Sequence, residues 1–326
     1  MRKLSYAKAL REALCIEMDR DERVMLLGED IAAYGGSFKV TDGLLAQYGP
    51  DRVRDTPISE NTIVGLATGA ALMGLRPVAE IMFMDFIGLA VDQIVNHAAK
   101  FHYMYGGQKP VPIVVRTPAG GGRGYGPTHS QSLEAWFMHA PGLKVACPAT
   151  PADAKGLLLS AMRDDNPVLF VENKLLYGVQ DDVPEGDYTV PFGQARVARE
   201  GTDLTIVTCS RMVGESVVAA DALEQQHGIS AAVIDLRTLC PLDMDTVTES
   251  VSATGRCLIV AEDYQTAGVA AEVGFQVIER AFEYLDAPLR RVCGLDVPVP
   301  CARGLEEMIL PTRSRIATAA FELATF

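Results

Sequence analysis

Short β-branched runs alternate with amphipathic stretches along nearly the whole chain. In residues 5–19, Tyr6, Leu10, Leu14 and Met18 recur at helical spacing and mark one apolar side. Residues 24–27 then read as a buried strand. The pattern continues with a helix over 60–73, a strand over 77–83 and a second long helix over 88–101. Further strands are predicted over 112–116, 144–146 and 168–172, with a helix over 152–162. This alternation predicts a mainly parallel sheet covered by helices. The periodicity fails between Lys174 and Gly201, where residues 178–188 are acidic and turn-rich, as suits an interdomain connection. A second alternating series follows, with strands over 204–208, 231–236 and 258–261 and helices over 212–227 and 269–284. At 326 residues the chain is too long for one hydrophobic core to be the default. The expectation is two α/β domains, 1–180 and 201–326, joined by a linker over 181–200.

Composition narrows the function classes. Hydrophobic content of 48% and charged content of 22% are ordinary for a folded soluble protein. A net charge of -13 argues against nucleic acid, because neutralising phosphates needs a surplus of Lys and Arg. It leaves room for a basic protein partner. The seven cysteines are odd in number, scattered and without a CxxC pair, which reads as reduced thiols of a cytoplasmic protein. The first ten residues return quickly to charge and hold no apolar signal core. No apolar stretch approaches the roughly 20 residues that span a bilayer, so no membrane is expected.

Three segments carry candidate chemistry. In Asp55-Thr-Pro-Ile-Ser-Glu60, Pro57 disfavours helix before it and Ser59 is a natural N-cap, so Glu60 should open the next helix. Glu60 then either serves the helix terminus, through the dipole, or meets a ligand. The helix that follows is apolar nearly all round and so expected to be buried, and a carboxylate at its mouth needs a partner such as a ligand nitrogen. In the second segment, residues 117–132, five glycines make a mobile loop that permits close backbone approach to a ligand. It matches neither a phosphate-binding P-loop nor a dinucleotide fingerprint. His129 ends this loop, as a structural residue or as a proton-transfer group. In the third, Glu80-Ile-Met-Phe-Met-Asp-Phe86, a strand passes into a loop, and Phe86 is either core or a stacking surface at a strand's carboxyl end.

Together these residues carry a family resemblance. Thr56-Pro-Ile-Ser-Glu60, the run from Gly65 to Pro77, His129-Ser-Gln-Ser132, Pro141-Gly-Leu-Lys-Val145 and Asp153-Ala-Lys-Gly-Leu157 resemble the β subunits of 2-oxo acid dehydrogenase E1 components. The likeness continues through Asp235-Leu-Arg-Thr-Leu239 and Asp296-Val-Pro-Val-Pro300, over essentially the whole chain. It implies a transketolase-like α/β fold: a pyrimidine-binding domain with a mainly parallel sheet, then a transketolase C-terminal-like domain. It implies that Glu60 hydrogen-bonds N1′ of the thiamine diphosphate aminopyrimidine, favouring the imino tautomer that removes the C2 proton. Phe86 would stack on that ring with Ile58 nearby, and His129 would act as proton donor toward substrate and lipoyl group. It also implies a structural potassium ion on main-chain carbonyls, at the positions matching Ile113, Ala161, Met162, Asp164 and Asn166.

The family's usual magnesium–diphosphate motif, a Gly-Asp-Gly followed further on by Asn, does not occur; Gly186-Asp-Tyr188 lacks the second glycine. Magnesium ligands are therefore expected from an E1 α subunit, in an α2β2 heterotetramer that passes an acyl group to a lipoyl-bearing E2. A pyruvate-like 2-oxo acid is the expected substrate. Acetoin dehydrogenase is the alternative, because Glu80–Phe86 and Ser130-Gln-Ser-Leu-Glu-Ala-Trp136 resemble that branch, while Thr128 and Arg123-Gly-Tyr-Gly126 depart from pyruvate enzymes. A reading from another class, a non-catalytic subunit docking E2, is opposed by the presence of Glu60, Phe86 and His129 together.

Overall fold

Ser5 ends strand β1 (Arg2–Ser5) and caps helix α1 (Tyr6–Arg20), its hydroxyl accepting the Lys8 amide at 3.3 Å. The chain continues through β2 (Val24–Gly28), α2 (Leu44–Tyr48), β3 (Val53–Asp55), α3 (Glu60–Leu72), β4 (Arg76–Glu80), α4 (Ala99–Met104) and β5 (Val114–Ala119). Then come α5 (Glu134–Met138), β6 (Lys144–Ala146), α6 (Pro151–Arg163), β7 (Val168–Asn173) and β8 (Gln180–Val183). The computed structural model describes all 326 residues and divides them into two units, 1–119 with 136–192 and 120–135 with 193–326.

In the first unit, parallel strands pair in the order β6-β7-β5-β4-β2-β3. The stripe Tyr6, Leu10, Leu14 and Met18 is buried, packed with Leu157, Leu158 and Ala161 of α6 and with Val24 and Phe170 of the sheet. Helix α6 starts where Thr150 accepts the Asp153 amide at 3.1 Å and Pro151 occupies the first turn. The chain leaves β2 toward β3 and leaves β4 toward β5, in opposite directions across the sheet. The carboxyl ends of these two neighbours therefore form a switch point, the place where such sheets bind ligands.

The second unit contains β9 (Arg196–Arg199), β10 (Leu204–Thr208), α7 (Arg211–His227), β11 (Ala231–Asp235), β12 (Thr238–Cys240) and α8 (Met244–Thr254). It continues with β13 (Cys257–Tyr264), α9 (Val269–Ala281), β14 (Arg290–Gly294), α10 (Arg303–Ile309) and α11 (Arg313–Ala324). Its five-stranded sheet runs β14-β13-β10-β11-β9, with only β9 antiparallel to its neighbour. No helix is long and apolar enough to cross a membrane.

Three expectations are refined by the structure. The boundary between the units, at 192/193, falls within the expected linker 181–200, and the segment is itself structured: β8 pairs antiparallel with β1, Tyr188 donates to the Ala152 carbonyl, and β9 joins the second sheet. Both are edge strands, and β8 faces solvent at three of four positions, so neither shows hydrophobic alternation. The single helix over 88–101 is instead a 3₁₀ segment (Met84–Ala90), a π segment (Gln93–Ala98) and then α4, a change no proline or cap residue announces. Finally, the loop 120–135 belongs to the second unit, although it follows a strand of the first.

Candidate active site

The carboxyl ends of β2, β3 and β4 deliver Glu29, the segment Thr56–Glu60 and Phe86 to one side of the first unit's sheet. The Thr56 amide donates to the Gly28 carbonyl at 2.9 Å, tying the segment before α3 to the end of β2. Asp55 accepts the Ala32 amide at 2.7 Å and so fixes the turn after Glu29. Within that turn Asp30 adopts φ 55°, left-handed backbone that Asp tolerates better than most residues.

Glu60 opens α3 as expected and is 5% exposed. Ser59 holds the N-cap position but does not cap; its hydroxyl turns to the Thr62 hydroxyl at 2.8 Å. No group of the chain donates to the Glu60 carboxylate. Two further oxygens nearby in the fold, Glu29 Oε1 and Thr56 Oγ1, are buried without a partner. Burial, and then the charges of Glu60 and Asp30, push the Glu29 carboxyl above its usual range, which places the two glutamates within electrostatic reach. Buried polar atoms without partners are costly, so the arrangement suits a ligand that brings its own hydrogen-bond donors.

Phe86 lies in the 3₁₀ turn after β4, half-buried, with Phe83 edge-on to it at 5.9 Å. A ring held edge-on by one neighbour can offer a face to a flat heterocycle. Ile58 stands before α3 and is 83% exposed. Helix α3 is not buried all round: Leu66 is 55% exposed, and Met73, at the helix's C-cap, is 85% exposed. Behind the site, Arg116 on β5 bonds Glu172 through Nε and Nη2 at 2.7 and 2.9 Å, and Glu80 through Nη1 at 2.8 Å. Tyr177 adds a bond to Glu172 at 2.7 Å. Burial pushes the Glu80 carboxyl up despite the pull of Arg116.

His129 is on the second unit, half-buried, with its Nδ1 at 3.0 Å from the Thr128 hydroxyl. With that hydroxyl as donor, the ring proton resides on Nε2, which is then the nitrogen able to give it away. The five-glycine loop before it is fastened rather than mobile. The amides of Gly121, Gly122 and Gly124 donate to the carboxylates of half-buried Glu262 and buried Glu306 at 2.7–2.8 Å.

The five positions expected to hold potassium gather in the first unit, with several carbonyls already in use. Arg76 donates to the Met162 and Asp164 carbonyls at 2.9 and 2.6 Å. The Ile113 carbonyl accepts the Val168 amide, and that of Ala161 the Asp164 amide. Burial opposes ionisation of Asp164, yet hydrogen bonds from Lys144 and Asn166 hold its carboxyl below the usual range.

Residues 2–180 match the transketolase pyrimidine-binding domain and residues 193–316 the transketolase C-terminal domain. The chain is 50% identical over 316 residues to a pyruvate dehydrogenase E1 component subunit beta from Rickettsia felis, covering 97% of both chains. It is 48% identical over 329 residues to acetoin:2,6-dichlorophenolindophenol oxidoreductase subunit beta from Cupriavidus necator, covering 98% of this chain and 97% of that one. The chain belongs to the E1 β-subunit family of the 2-oxo acid and acetoin dehydrogenases. The solved structure of a split gene transketolase, an inactive beta4 tetramer, superposes with a TM-score of 0.78 at 25% identity, covering 99% of this chain and 98% of that one. As an E1 β-family chain it has a transketolase-like fold of two mostly parallel α/β parts.

Sequence reasoning missed Glu29 and Glu306. Glu29 carried a usable signal, an acidic pair directly after a buried strand ending in glycine. Glu306 carried none, because its partners lie 182 and 184 residues away along the chain.

Proposed function

We propose that this chain supplies the pyrimidine half of a thiamine diphosphate site in an α2β2 E1 enzyme that decarboxylates a pyruvate-like 2-oxo acid and acylates the lipoyl group of an E2. The observation that carries the reading is Glu60: a buried carboxylate without a donor, at the switch point of the sheet, beside two orphaned oxygens. An aminopyrimidine would bring N–H donors to those acceptor oxygens, and Glu60 and Phe86 are the residues that would hold it. Thiamine diphosphate, when bound, supplies the carbon nucleophile and electron sink that decarboxylation requires. Glu60 holds the N1′ proton, Phe86 and Ile58 fix the ring, and Glu29 keeps a second acidic group within reach of Glu60. His129 donates a proton during acyl transfer.

Magnesium and the diphosphate fall to the α subunit, since the chain lacks the motif for them. The exposed apolar side chains Ile58, Leu66 and Met73 are the ones we assign to contact with that subunit, in an interface expected to exceed the roughly 1,600 Å² of a transient contact. The inactive β4 state of the split-gene transketolase accords with a β chain that needs its partner. The enzyme would work in the cytoplasm. Acetoin is the second reading, favoured by the likeness to the Cupriavidus necator subunit and by Thr128 at the His129 ring. Assays of the reconstituted heterotetramer with pyruvate, branched 2-oxo acids and acetoin test the function; turnover of none of them contradicts it.

Two further outcomes are expected. His129→Ala should lower lipoyl acylation by about 10²-fold, as loss of a positioned acid does, with dye-coupled decarboxylation within threefold. Normal rates in both steps would make His129 structural. Potassium would coordinate the second lone pairs of the Ile113, Ala161, Met162, Asp164 and Asn166 carbonyls, since each oxygen has two. The melting temperature should then rise with potassium but not with tetramethylammonium at matched ionic strength. Identical curves in the two salts would remove the ion.

A further inference from the structure

The glycine loop before His129 is built for close approach to a carboxylate clamp. Gly121 and Gly122 donate to different carboxylates, Gly121 to Glu262 at 2.8 Å and Gly122 to Glu306 at 2.7 Å. Gly124 returns to the other oxygen of Glu306 at 2.8 Å. Glu306 sits on α10, is 1% exposed and spends both oxygens on this loop. Glu262 is itself steadied by Arg211 Nε at 3.1 Å. Side chains at the glycines themselves would crowd their neighbours. A Cβ on Gly121 would lie 2.9 Å from Leu310 Cδ1, and one on Gly126 only 2.4 Å from the Cys301 sulfur. Gly124 and Gly126 also hold φ of 71° and 80°, which other residues rarely adopt. Beyond the clamp, the His129 amide donates to the Gly126 carbonyl at 3.3 Å, and the Gly120 amide to the Gln131 carbonyl at 3.1 Å. The histidine is thus enclosed in a loop fixed upstream by Glu306 and closed at its base.

We propose that Glu306 is a positioning residue for His129, its two carboxylate oxygens clamping the Gly122 and Gly124 amides so that the imidazole is held where acyl transfer needs its proton. The proposal rests on the reading of His129 as proton donor. Charge-assisted bonds to backbone amides are the strong kind, and here two of them share one acceptor group. A displacement of about 1 Å in a catalytic group can cost about 10²-fold in rate.

The test uses the reconstituted α–β complex with Glu306→Gln and Glu306→Ala. Hydrogen exchange of the peptide covering 120–126 reads the clamp, and lipoamide acylation against dye-coupled turnover reads the chemistry. With Glu306→Ala, loop exchange should quicken at least about tenfold and acylation fall about 10²-fold, with dye-coupled turnover within threefold. Glu306→Gln, which fills the same space with one acceptor oxygen, should fall between the variant and wild type on both readouts. Unchanged loop exchange in Glu306→Ala overturns the proposal, as does equal loss of acylation and dye-coupled turnover in Glu306→Gln. A wild-type complex that acylates no lipoamide, while loop exchange still responds to Glu306, overturns the E1 reading and separates it from the clamp.

Discussion

Glu60→Gln is expected to remove most turnover, by about 10²–10⁴, while the α–β complex still assembles. The carboxylate is buried, accepts no hydrogen bond from its own chain and lies within electrostatic reach of Glu29. A glutamine of the same shape keeps the packing and loses the charge that, in the proposed site, would hold a proton on a ring nitrogen. It also removes the like charge that helps to push the Glu29 carboxyl up, so the pH profile of any residual activity should shift as well. Assembly is read by size-exclusion chromatography and turnover by the dye-coupled assay. Activity within threefold of wild type would leave Glu60 as a helix-terminus residue and nothing more.

Arg116→Met should be the most damaging substitution for stability in the first unit. The guanidinium is buried, and it neutralises Glu172 and Glu80 together, with Tyr177 closing the network. Removing the cation leaves two buried carboxylates facing each other without compensation. Breaking a buried pair from one side costs about 3–5 kcal/mol. For a unit of this size that lowers the melting temperature by about 10 °C. Adding Glu80→Gln and Glu172→Gln to Arg116→Met should recover part of the loss, since groups in one network are not additive. A melting temperature within 2 °C of wild type for the single substitution, a limit below the drop of about 10 °C expected here, would mean the carboxylates find protons or water at little cost.

What was legible in the sequence follows from where periodicity is strong. The buried side of α1 reads directly from Tyr6, Leu10, Leu14 and Met18, because a helix packed on one face repeats every 3.6 residues. Strand β10 reads over its full length because it is buried at every position. Strands β1, β8 and β9 do not, because they are edge or ribbon strands with much of their length toward solvent. The breakdown of the helix after Phe86 into 3₁₀ and π turns has no local signature; Gln93 in the π segment lies against Gly65 of α3, a tertiary contact. At the site, Glu60 was legible from Ser59 and the apolar helix behind it, although Ser59 does not cap as it should. The glycine loop was legible as a feature and misjudged as mobile, because the carboxylates that fasten it come from β13 and α10, remote in the chain.

The half-site is the central claim, and binding tests it more directly than turnover. In the proposed site Glu60 and Phe86 would hold the pyrimidine ring, whereas the diphosphate needs magnesium in near-octahedral oxygen coordination. Thiamine diphosphate with magnesium should be titrated calorimetrically into the purified chain, alone and with its cognate α subunit. The expected result is no measurable heat of binding for the chain alone and micromolar or tighter affinity for the complex. Micromolar binding by this chain without a partner would contradict the half-site and the E1 β reading with it.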